Sequence, residues 1–108
     1  MQAPSEPVPQ DWEEYAKELG RRLQEARGAR TQEAIAAEAG MSRPYYHGLE
    51  HGRWRGRTAS PSLHALARVA QALGVDLAEL IPPTSGLAVL DPPRSRPVGG
   101  DPPAPGQA

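Results

Sequence analysis

The chain has 108 residues, of which 38% are apolar, with no cysteine, no phenylalanine and a formal net charge of -1. That length suits one small domain, and the missing cysteines exclude a disulfide framework and thiolate metal sites. No apolar run is long enough to span a membrane and no signal-peptide pattern opens the chain, so the expectation is a soluble, cytoplasmic protein with no membrane partner. The five aromatic residues are Trp12, Tyr15, Tyr45, Tyr46 and Trp54. A core drawn mostly from Leu and Ala is modest, and a homodimer is its natural supplement. The near-neutral total conceals a segregation of charge. From Arg21 to Arg68, nine arginines stand against four glutamates, a local surplus of five positive charges, while acidic residues gather at the two ends. Such a segment suits an anionic partner better than the total suggests.

Residues 1–10 carry Pro4, Pro7 and Pro9 and read as a disordered N-terminal arm. Asp11, with Glu14 three positions on, forms a capping box for a helix over 12–27. Trp12, Tyr15, Ala16, Leu19, Leu23 and Ala26 share one face of that helix, and Gly28 ends it. Thr31 caps a second helix over 32–39. Gly40 supplies a tight turn, because glycine takes a left-handed backbone without steric cost. Ser42 caps a third helix over 43–51, which tolerates Pro44 in its first turn. Ile35, Ala36, Ala39, Met41, Tyr46 and Leu49 are spaced to face one core. Two short helices joined in this way, with an arginine at the open end of the second, are how a small protein presents a helix end to the DNA major groove.

Residues 53–59 read as a basic loop carrying Arg53, Arg55 and Arg57 around Trp54. Ser60 and Pro61 then open a fourth helix to Leu73, with Leu63, Leu66, Ala67, Ala70 and Leu73 as its buried stripe. Asp76 and Glu79 form a second capping box, for a short fifth helix bearing Leu77, Leu80 and Ile81. Pro82 and Pro83 end the folded region. From residue 82 onward the chain holds eight prolines in 27 residues, a composition that cannot offset chain entropy by burial. Within this tail, Leu87–Leu90 is a short apolar segment that suits an edge strand, a docking segment in a dimer, or no structure at all. The expected organisation is thus an arm over 1–10, a folded unit over 11–82 and a Pro-rich tail over 83–108.

Residues 14–81 resemble the Cro/cI-like helix-turn-helix family, also called the xenobiotic-response-element family. The resemblance lies in Leu-Gln-Glu-Ala-Arg-Gly before the second helix, Thr-Gln-Glu-Ala-Ile-Ala at its start and Ala-Gly-Met-Ser-Arg at the turn. It continues through Leu-Glu-His-Gly at the end of the third helix and the run from Pro61 to Leu80. It implies an all-α, compact five-helix phage-repressor-like domain with disordered arms, whose third helix reads double-stranded DNA. By analogy Gln32 touches phosphate. Ser42, Arg43, Pro44, Tyr45, His47 and Gly48 lie on or beside the reading face, and Arg53, Arg55 and Arg57 grip the backbone.

The chain departs from the family pattern in three places. The loop 28–31 is one residue longer than usual, with Arg30 where an apolar side chain is common. Gly48 replaces a long polar side chain and leaves a gap where a base contact is often made. The loop 51–60 is longer and more basic. These departures favour backbone and shape reading over direct base contacts.

Each residue has a plainer reading. Arg43 can pair with Glu38 or solvent, although guanine O6 and N7 lie within reach of such an arginine. Tyr46 matches a core position, whereas for Tyr45 phosphate contact and packing are evenly balanced. Trp54 fits the domain's own core edge slightly better than a sugar-phosphate or dimer contact. His47-Gly48-Leu49-Glu50-His51 spells an inverted zinc-protease motif, but it lacks a third ligand and a cleft. Glu50 is better read as the family's buried glutamate. Gln24 stands where its arginine partner often lies, which leaves Arg27 or another neighbour to satisfy it. His64 reads as a surface residue. No catalytic constellation, metal site or cofactor motif emerges, and an enzyme is not expected. The leading expectation is a sequence-specific transcriptional regulator, repressing by operator occupancy as a homodimer. The alternative is an antitoxin or adaptor that holds a protein partner through the C-terminal tail.

Overall fold

The computed structural model describes residues 8–88. Most of the expected arm and most of the Pro-rich tail, including Val89 and Leu90, therefore lie outside the described residues. Five helices follow in order: α1 (Trp12–Arg27), α2 (Gln32–Ala39), α3 (Arg43–His51), α4 (Leu63–Leu73) and α5 (Leu77–Leu80). Between α3 and α4 runs a two-stranded antiparallel hairpin, β1 (Arg53–Trp54) with β2 (Arg57–Thr58). Its register pairs Arg53 with Thr58 and Trp54 with Arg57. The architecture is the helical one expected, with the basic loop replaced by this hairpin.

The helix starts are set by local chemistry. The side chains of Asp11, Thr31 and Ser42 accept from the backbone N–H groups of Glu14, Ala34 and Tyr45 at 2.8, 3.0 and 3.2 Å. Each satisfies a donor that the first turn would otherwise leave bare. Two starts differ from expectation. The fourth helix begins at Leu63, two residues beyond Pro61, because Ser62 is the residue whose hydroxyl caps it, at Ala65 N. Asp76 makes no side-chain cap, and the backbone bond from Glu79 N to Asp76 O closes that turn instead.

One core fills the space between the helices. Leu23, Ile35, Tyr46, Leu49, Val69 and Leu80 are its largest fully enclosed members, together with Pro82 beside them. Helix α1 packs against α3, β2 and α5, and α2 lies between α3 and α4. The buried stripe of α4 is Ala65, Leu66, Val69, Ala70 and Leu73. Leu63, expected inside, is 67% exposed, because the first residue of the helix overhangs the edge of the core. Trp12 also lies at the surface, flat against Tyr15, with its indole N–H donating to Ala59 O at 3.1 Å.

Helix α1 gathers the chain around it. The Tyr15 hydroxyl donates to Pro82 O at 2.9 Å, and Arg22 Nη1 donates to Ile81 O at 3.2 Å. Buried Glu18 accepts from Arg21 and Arg22, and the Arg21 hydrogen bond above all holds its carboxyl below the usual range. Pro9 is buried and Ala88 N donates to Gln10 O at 3.0 Å, so the described ends, 8–10 and 82–88, meet beside the start of α1.

Helix α1 crosses α3 closely at Gly20. A Cβ added at Gly20 would collide with the carbonyl of Glu50 and come within 2.8 Å of Leu49 O. Both neighbours are backbone, so neither can rotate away. Gly20→Ala is expected to lower stability by about 1–3 kcal/mol through overpacking, despite alanine's better helix propensity. Urea denaturation monitored by circular dichroism measures this, and an unchanged midpoint would contradict the close crossing.

Candidate nucleic-acid interface

The candidate interface is built on the turn between α2 and α3. Gly40 adopts the left-handed backbone (φ 72°, ψ 36°), its N–H satisfies the end of α2, and Ser42 starts α3 two residues later. Helix α3 thus leaves the turn with its first residues outward. Ser42, Arg43 and Pro44 are exposed, as is His47 one turn on, while Tyr46 and Leu49 face the core. The positive end of the helix dipole favours an anion there. Arg43 adds a guanidinium at the same end. Its partner is Glu33 at 3.8 Å, not Glu38, in a pair with side chains 49% and 72% exposed. An ion pair so open to water holds Arg43 weakly and leaves it available.

The other end of α3 is anchored by Glu50, whose side chain is 1% exposed. Arg27 donates to both carboxylate oxygens, from Nε at 2.6 Å and from Nη2 at 3.0 Å. Gln32 Nε2 donates to the same carboxylate at 2.9 Å, and Gln24 Nε2 donates to the Glu50 main-chain carbonyl at 3.1 Å. The family's arginine position is thus occupied by an amide that binds backbone, and Arg27, one turn on, makes the ion pair. Burial pushes the Glu50 carboxyl upward, but the donors from Arg27 and Gln32 more than offset it and hold it below the ordinary value. The Tyr46 hydroxyl, buried beside this carboxylate, adds its dipole without reaching hydrogen-bonding geometry. Burial above all pushes its own phenol well up.

Two expected site residues are placed differently from the sequence reading. The side chain of Gln32 is engaged at both ends, Nε2 on Glu50 and Oε1 on His47 Nδ1 at 3.2 Å, so its amide is turned inward and only the second N–H of its NH2 group is left over. The cause is the second donor that the buried carboxylate requires. Gly48 is buried and does not open a gap toward a base. A Cβ there would stand 2.5 Å from Arg53 O and 3.2 Å from the Trp54 ring, because the hairpin lies against it.

The hairpin carries the remaining candidates. Its turn residues, Arg55 and Gly56, both have positive φ (56° and 76°), the geometry of the tightest right-twisted hairpins. Trp54 is half-buried and meets Tyr45 edge to face at 5.0 Å, so packing is the role seen for Tyr45. The Arg55 guanidinium lies over the Trp54 ring, 5.2 Å from its centre. Arg53 Nη2 donates to Gly56 O at 2.7 Å. Arg57 is exposed and its side chain makes no hydrogen bond or ion pair among the described residues. The structure therefore brings Arg43 and His47 onto the exposed face of α3, with three arginines on the hairpin that packs behind it. Arg30 lies elsewhere. It donates to Ala26 O and Leu73 O at 2.8 and 3.3 Å, a cation closing the C-terminal ends of α1 and α4.

Among the described residues no helix is long and apolar enough to cross a membrane. The family model described as a helix-turn-helix domain matches residues 18–80. An uncharacterised helix-turn-helix-type transcriptional regulator of Sinorhizobium fredii, y4dJ, is 41% identical over 63 residues, which is 58% of this chain and 74% of that protein. Among solved structures, the restriction-modification controller protein C.AhdI from Aeromonas hydrophila is similar at 32% identity and a TM-score of 0.54. That match covers 61% of this chain and 96% of the other. The clp gene regulator ClgR from Corynebacterium glutamicum matches at 29% identity and a TM-score of 0.55, over 68% of this chain and 71% of the other.

Removing Arg27 leaves a buried carboxylate with a single amide donor. Arg27→Ala is expected to cost ~3 kcal/mol of folding stability, measured by chemical denaturation. The Glu50 carboxyl is held below 4.5 in the folded state, so the unfolded chain takes up that proton first as pH falls. Its stabilisation is complete above the unfolded value and is lost as pH drops through the folded one. Stability measured from neutral pH into this acid range should fall less steeply in Glu50→Gln than in the wild type. Parallel curves would remove Glu50 as the source.

Proposed function

This chain belongs to the helix-turn-helix domain family, of the Cro/cI-like kind, and on that premise we propose that it is a sequence-specific double-stranded DNA-binding transcriptional regulator. The observation that carries the proposal is the exposed start of α3. Ser42, Arg43 and Pro44 stand open to solvent at a helix N-terminus, while the far end of the same helix is held by Glu50. In this reading α3 enters the major groove, Arg43 reaches base edges, and Arg53, Arg55 and Arg57 contact phosphates on the flank. The relation to a regulator of transcription in Sinorhizobium fredii supports the same class of function.

The finer proposal is a cytoplasmic repressor acting by operator occupancy, which needs only the DNA-binding unit. A two-fold dimer through α5 and residues 87–90 would set two α3 helices about one DNA turn apart, on half-sites related by the same symmetry. Residues 11–82 are proposed as the DNA-binding unit, and the Pro-rich tail as a segment outside it.

Arg43→Ala should weaken binding to the selected operator by ~1–3 kcal/mol and relax preference at one base position. Arg57→Ala should weaken binding to all duplexes alike and reduce the salt dependence by about one ion. Electrophoretic titration across salt concentrations separates the two patterns. Unchanged affinity in both variants would remove this face as the DNA surface.

A further inference from the structure

His47 and His51 lie one turn apart on α3, exposed, with their rings stacked at 4.1 Å and 27°. The hydrogen bonds around them settle which ring nitrogens carry protons. The Glu50 carboxylate is ionised and only accepts, so the Gln32 amide must present its NH2 group to it, as observed at 2.9 Å. The Gln32 oxygen then faces outward, 3.2 Å from His47 Nδ1. An amide oxygen also only accepts, so Nδ1 of His47 is the donor. His51 Nδ1 lies 3.0 Å from the His47 main-chain carbonyl and must donate for the same reason. When either ring is neutral its proton is therefore on Nδ1, and Nε2 keeps its lone pair. His47 Nε2 makes no hydrogen bond among the described residues.

We infer that His47 is a specificity-determining residue that reads DNA as a hydrogen-bond acceptor, with Gln32 as the positioning residue that fixes its tautomer. The inference rests on the DNA-binding function proposed above. In the major groove adenine and cytosine present exocyclic amino donors, at N6 and N4, whereas guanine presents O6 and N7 and thymine O4, all acceptors. A lone pair on Nε2 matches an amino base and repels a keto base on the same strand. The relay runs from Arg27 through Glu50 and Gln32 to His47. A buried ion pair thereby determines the hydrogen-bonding character of a surface side chain, as an outer shell of partners orients a ligating histidine at a metal site. The stack with His51 restrains the plane of the ring.

Two measurements test this on the full chain. The first is nitrogen-15 spectroscopy of the histidine side chains, with pH raised until both rings are neutral. The expected result is a protonated Nδ1 and a bare Nε2 on His47, shifting to a mixture of tautomers in Gln32→Ala. A proton on Nε2 in the wild type overturns the inference whatever the DNA result.

The second is selection from randomised duplexes, comparing wild type, His47→Ala and Gln32→Ala. The wild type should enrich adenine or cytosine over guanine and thymine at one position by about five-fold. His47→Ala should lose that preference and keep the position read by Arg43, and Gln32→Ala should weaken it. His47 is exposed, so its variant is expected to fold and keeps the test decisive even where Gln32→Ala is destabilised. Enrichment with no His47-dependent position, or with a preference there that does not separate amino from keto bases, such as G·C over A·T in either orientation, overturns this inference alone. Failure of the wild type to enrich any duplex overturns the DNA-binding reading and this inference with it.

Discussion

A carboxylate that is almost wholly enclosed must find donors before a chain folds around it, and Glu50 imposes that condition on three helices at once. Two of its partners come from α1 and one from α2. Positions 20, 24 and 27 recur at helical spacing along α1: a glycine that admits the α3 backbone, an amide for its carbonyl and an arginine for its carboxylate. Satisfying one charge therefore sets where α3 ends, how closely it approaches α1 and which residues of α2 turn inward. The cost of leaving such a charge unmatched makes this arrangement specific as well as stable.

Anchoring α3 at its C-terminal end leaves the opposite end open. The same interaction that stabilises the fold thus aims the surface proposed to meet DNA. Gln32 shows the economy of this design, since the amide that completes the buried site also touches His47 on the exposed face. A disturbance at the ion pair would reach the surface in two steps, through a carboxylate and an amide.

The hairpin after α3 explains two departures from the family pattern as one. A longer basic connection folds back so that the Arg53 carbonyl and the Trp54 ring lie against Gly48, and only glycine fits beneath them. What reads as a missing base contact is the seat for the hairpin that carries the arginines. Tyr45 and Arg55 clasp Trp54 from two sides, edge to face and as a cation over the ring, and Trp12 ties the exit of the hairpin to α1. Arg30 is the third departure, and its place is structural, at the ends of α1 and α4.

Sequence alone determined the helices, the turn at Gly40, the caps at Asp11, Thr31 and Ser42, the enclosed positions of Tyr46 and Leu49, and the exposed arginine at the start of α3. Caps, turns and apolar periodicity act within a few residues, so they are written locally. What remained open depended on contacts between distant positions. Gln24 and Arg27 lie 26 and 23 residues from Glu50, and only the crossing at Gly20 decides which of the two α1 side chains takes the carboxylate. Tertiary structure likewise turned Gln32 inward, covered Gly48 with the hairpin and left Leu63 beyond the core edge. In each case the deciding quantity was the distance between elements, which one helix or strand does not encode by itself.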